Sequence, residues 1–77
     1  MKPRPFRSLR ARKITQLVDR MYANQRLGYS AEEAIYESFS FAEYCQDRKA
    51  VVAAASMFAR LEGLPLRSLY FDFSAGD

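Results

Sequence analysis

Glu32, Glu33 and Glu37 fall within six residues, and closely placed carboxylates are able to share acid–base work. A reaction would need more than these three. The chain has no histidine, which removes the commonest general base and the commonest transition-metal ligand together. Cys45 is the only cysteine; no histidine activates it, and one thiol builds neither a disulfide nor a zinc site. Gly28, Gly63 and Gly76 stand too far apart to form a phosphate-cradling loop. Acids in the first turn of a helix complement its dipole, so the trio reads as helix stabilisation. The expectation is a protein that is not an enzyme and has no cofactor or metal. Cys45 is expected to be a small core residue, as free cysteines commonly are.

The basic residues are distributed more tellingly. Residues 1–30 carry Lys2, Arg4, Arg7, Arg10, Arg12, Lys13, Arg20 and Arg26 against Asp19 alone, a net +7. Residues 31–77 carry Arg48, Lys49, Arg60 and Arg67 against eight acids, a net −4. Arginine forks onto phosphate or carboxylate in a way lysine does not. An Arg-rich arm beside a basic helix face is a common means of holding nucleic acid by its backbone. The eight N-terminal bases are therefore the candidate binding residues, with nucleic acid (DNA or RNA) or an acidic protein surface as the partner. A DNA-reading helix-turn-helix is not supported. Its recognition helix would be residues 41–47, with two acids and no base to set against phosphates.

Five tyrosines and six phenylalanines are many for 77 residues. Tyrosine is enriched at protein interfaces, where the ring buries and the hydroxyl stays wet. Tyr29, Tyr36, Phe71 and Phe73 are candidate protein-interface residues on that ground. They supply the alternative function, a small inhibitor or adaptor of the mobile-element type that docks on a larger protein.

The elements that must position these groups follow from periodicity. Met1 to Arg7 holds two prolines, and residues 1–9 read as a flexible, extended basic arm. Ile14, Leu17, Val18, Met21 and Tyr22 form one apolar stripe at helical spacing, with Ser8 as N-cap and Gly28 as the stop. Ser30 with Glu33, and Ser40 with Glu43, each have capping-box spacing, which predicts two short helices with a bend near Phe39. Asp47 should cap a further helix from about Arg48 to Glu62. Its alanines on several faces suit the central helix of a bundle, ended by Gly63 and Pro65. Leu66, Leu69, Tyr70 and Phe73 extend the helical spacing through residues 65–73, although a short strand fits almost as well. The fold class is all-α, a small bundle of three to five helices over residues 10–77 carrying the arm.

Seventy-seven residues make one domain with a thin core, which a homodimer would thicken. The longest uncharged stretch, Ala50 to Ala59, is ten residues. A membrane-spanning helix needs about 20. No apolar signal-peptide core precedes Asp19. With a single cysteine, these features point to the cytoplasm.

Overall fold

The apolar stripe of the first helix packs against the fourth helix and the second. The computed structural model describes residues 9–65 and 69, with side chains from Ala11 onward. Residues 1–8 of the expected arm, with the Ser8 cap, and residues 66–68 and 70–73 of the last segment, with Phe71 and Phe73, lie outside those residues, and Leu9, the last residue of the expected arm, begins α1. Among the described residues the structure is all-helical: α1 (Leu9–Arg26), α2 (Ala31–Tyr36), α3 (Phe41–Gln46) and α4 (Arg48–Glu62). No helix is long and apolar enough to cross a membrane.

α1 buries Leu17, Val18 and Met21, and packs Ile14 and Tyr22 half-buried beside them. It stops two residues before Gly28, whose φ of +116° only glycine adopts readily. Both capping boxes form. The Ser30 hydroxyl accepts from the Glu33 amide at 3.1 Å, and the Glu33 carboxylate accepts from the Ser30 amide at 3.0 Å. The equivalent bonds of Ser40 and Glu43 are 3.1 and 3.2 Å. A second capping box beginning four residues after the six-residue α2 starts a new helix, and Glu37–Phe39 form the turn between the two.

Phe39 is buried at the bend, stacked on the buried ring of Tyr44 with centroids 6.2 Å apart. Phe41 is left exposed. Ser38, also buried, donates its hydroxyl to the Ala34 carbonyl and accepts from the Asn24 amide group at 3.3 Å, so no polar atom there is stranded.

Asp47 caps α4 by accepting from the Ala50 amide at 3.2 Å, and Gly63, at φ +76°, closes it. α4 packs against each of the other three helices. Ala50, Val51, Ala54, Ala55, Phe58 and Ala59 form its buried side. Alanine on that side lets the neighbouring backbones approach. The opposite side, with Ala53, Met57, Arg60 and Leu61, faces solvent. Cys45 departs from expectation. It is exposed, because the inward position of so short an α3 goes to its neighbour Tyr44, and the next residue is turned by about 100°.

α1 and α4 run in the same direction. The Tyr22 ring meets the Phe58 ring edge-on at 4.8 Å. One turn further along both helices, Gln25 donates to the Glu62 carboxylate at 2.9 Å. The offset between paired positions is 36 residues at the first contact and 37 at the second. Carried back along the pair, it sets Arg48 and Lys49 level with Arg12 and Lys13.

Candidate nucleic-acid interface

Co-directional packing gives the bundle two unlike ends. At one lie the N-termini of α1 and α4, with Arg12, Lys13, Arg48 and Lys49. Arg10 belongs to the first turn of α1, and Lys2, Arg4 and Arg7 lie outside the described residues. Each helix N-terminus adds the positive pole of its backbone dipole. At the other end lie the C-termini of both helices. There Glu62 bonds to Gln25, and α2 begins with Glu32 and Glu33 in its first turn. The first end thus holds Arg12, Lys13, Arg48 and Lys49 against Glu43 and Asp47, and the second holds Glu32, Glu33 and Glu62 against Arg26 and Arg60.

Arg48 and Lys49 belong to the half of the sequence that is net acidic, so a count by segment hides them. Only the pairing of α1 with α4 returns them to the basic end. Lys49 is exposed and lies nine residues, or two and a half turns, from the buried Phe58, so it points away from the core. The Arg48 guanidinium lies 5.8 Å from the centre of the Tyr44 ring, a cation–π contact that restrains it.

On α1, Arg12, Gln16 and Arg20 follow one another at four-residue intervals, so they form a single row about 12 Å long. All three are exposed, and Lys13 lies beside the row. Two of these bases are already engaged. The Lys13 ammonium is 3.4 Å from Glu43 Oε2, and Arg20 Nη1 is 3.1 Å from the same oxygen and 3.2 Å from Oε1. Arg20 also donates to the Ser38 carbonyl at 2.9 Å. Glu43 therefore joins the cap of α3 to the flank of α1. Its partial burial pulls its carboxyl pKa upward, but the Ser40 amide, Arg20 and Lys13 outweigh this and hold it below its ordinary value.

Arg26 is not brought to this end. It sits in the last turn of α1, about 21 Å along the helix from Arg12 at 1.5 Å per residue. The two described residues of the candidate protein interface also differ from each other. Tyr29 is exposed in the turn after α1, whereas Tyr36 is half-buried against the core. Among the described residues no group of three or more Cys, Asp or Glu side chains converges as a metal site.

No protein-family model, curated protein or solved structure matches the chain in comparisons with each.

Proposed function

We propose that this chain is a non-enzymatic accessory protein that binds nucleic acid by its phosphate backbone, using the basic end of the bundle and the N-terminal bases that lead into it. The observation that carries this reading is the co-directional packing of α1 and α4. It sets Arg48 and Lys49 level with Arg12 and Lys13, with Glu32, Glu33 and Glu62 at the opposite end. Phosphate contacts by lysine and arginine release condensed counterions, so affinity depends steeply on salt. Among the described residues no base-reading element accompanies the cluster, which favours sequence-independent binding.

Fluorescence-anisotropy titrations of a short mixed-sequence DNA duplex and a structured RNA at several salt concentrations test this. Two double variants remove equal charge from opposite ends, Arg48→Gln with Lys49→Gln, and Arg26→Gln with Arg60→Gln. Each phosphate contact contributes about 0.9 to the slope of log affinity against log salt. The first pair should lower that slope by about 2, and the second should leave it unchanged. Equal effects from the two pairs would refute an end-specific site, and absence of binding at low salt would refute the function.

A second reading has its own observation. Leu27, Tyr29, Met57 and Leu61 are exposed, Leu27 by 78% and Leu61 by 63% of their surface. All lie at or near the C-terminal ends of α1 and α4, away from the basic cluster. Such side chains suit an adaptor or inhibitor that docks on a protein. Met57→Glu with Leu61→Glu should then release a stoichiometric protein partner captured after nuclease treatment, and a capture that the pair leaves intact would count against it.

A further inference from the structure

Glu43 occupies the two bases of the α1 flank that a phosphate would otherwise meet. The row of Arg12, Gln16 and Arg20, with Lys13 beside it, faces outward, yet α3 lays a carboxylate across Lys13 and Arg20 at 3.4 and 3.1 Å. Their side chains keep 30% and 46% of their surface, and that of Glu43 keeps 27%. The cluster is therefore open to a competing anion. Exposed ion pairs of this kind are weak, and Glu43 engages only Nη1 of Arg20, whereas arginine can meet a phosphate with two nitrogens at once.

We infer that Glu43 is a built-in competitor for the nucleic-acid backbone, and that Lys13 and Arg20 are reserve phosphate ligands released when Glu43 is displaced. The inference rests on the nucleic-acid reading above and adds to it a mechanism that limits affinity. Seating a phosphate on Arg20 need not unmake the bundle, because the Nη1 that bonds Glu43 also donates to the Ser38 carbonyl at 2.9 Å, a bond that can remain when the carboxylate is displaced. Glu43 has a second task, accepting from the Ser40 amide at 3.2 Å to cap α3. That bond fixes where the carboxylate stands, so the competitor is held in place by the fold and not by the bases alone.

The position also makes the test clean, because a capping box accepts glutamine as well as glutamate. Glu43→Gln keeps the cap and removes the competitor. Glu32→Gln, on the exposed first turn of α2, changes the net charge equally at the acidic end. Binding of the same short DNA duplex is measured across salt for wild type and both variants. Glu43→Gln should steepen the salt slope by about 1 to 2, since each recruited phosphate adds about 0.9. At about 0.1 M salt it should tighten binding by on the order of ten-fold or more. Glu32→Gln should leave the slope where it was.

Glu43→Asp supplies an independent check that needs no change of charge. It withdraws the carboxylate by one methylene, and should steepen the slope in the same direction. Lys13→Gln with Arg20→Gln should cancel the gain when added to Glu43→Gln. Wild-type binding that neither Glu43 substitution changes beyond Glu32→Gln would overturn this inference alone and leave the nucleic-acid reading standing. Failure of all forms to bind at low salt would overturn both.

Discussion

Replacing Phe58 with alanine, beside the matched change of Met57 to alanine, probes the arrangement on which the basic end depends. The two residues are neighbours on α4 but face opposite ways: Phe58 is fully buried and Met57 keeps 46% of its surface. Phe58 sits at the centre of the core and meets Tyr22 edge-on at 4.8 Å. A buried Phe→Ala change costs about 3–5 kcal/mol, cavity included, of which the aromatic pair itself accounts for about 1 kcal/mol. At about 0.05–0.15 kcal/mol per residue, a domain of 77 residues has roughly 4–12 kcal/mol in all. Phe58→Ala should therefore remove a large part of the stability or unfold the chain, whereas Met57→Ala should cost about 1 kcal/mol or less. Urea unfolding followed by circular dichroism gives both numbers. A double-mutant cycle with Tyr22→Leu and Phe58→Leu should also return a coupling of about 0.5–1.5 kcal/mol. Equal costs at 57 and 58 would mean that α4 is rotated from this orientation. Zero coupling would mean that α1 and α4 are not paired in this register, and Lys49 would no longer lie level with Lys13.

Three further expectations concern the caps, the charge hub and the thiol. Ser40→Ala should destabilise by about 1 kcal/mol while Ser40→Gly costs only a few tenths, and equal shifts in thermal unfolding would deny Ser40 its capping role. Glu43 has its folded pKa below the ordinary value near 4.5, so the stability it adds is complete above that pH and is lost as pH falls through the folded pKa. The stability difference between wild type and Glu43→Gln should shrink steadily as pH is lowered from about 4.5; a difference that stays constant into strong acid would contradict the ion-pair assignment. Cys45, being exposed, should alkylate stoichiometrically with iodoacetamide in native buffer, and a requirement for urea would place it in the core after all.

Local structure was legible in the sequence wherever a side chain signals to its own backbone. Ser30, Ser40 and Asp47 each announce a helix start within three residues, and each cap forms as its spacing predicts. Gly63 ends α4 for the same local reason. The stripe from Ile14 to Tyr22 was equally plain, because a single face of α1 meets the core. Cys45 was misread because periodicity has little purchase on a six-residue helix, where one neighbour, Tyr44, takes the inward position. The bend near Phe39 was legible from the paired capping boxes, but that it buries Phe39 against Tyr44 was not.

The arrangement of charge was only half legible. The run of bases from Lys2 to Lys13 is visible to any count. That Arg48 and Lys49 join it depends on α1 and α4 lying co-directional, a long-range fact that no local signal carries. The same holds for Glu43. Its capping role is written in the spacing from Ser40, but its grip on Lys13 and Arg20 needs α3 to be folded back onto α1. Arg26 was grouped with the other bases by sequence proximity, and the length of α1 then carries it to the far end.

The most direct test of a nucleic-acid surface at the paired N-termini is a map of backbone amide chemical shifts as a short DNA duplex is titrated into the labelled protein. The account predicts salt-sensitive shifts concentrated in residues 10–20 and 48–52, with residues 27–37 and 60–64 undisturbed. Shifts centred on the opposite end, around Leu27, Tyr29 and Leu61, or none at low salt, would contradict it.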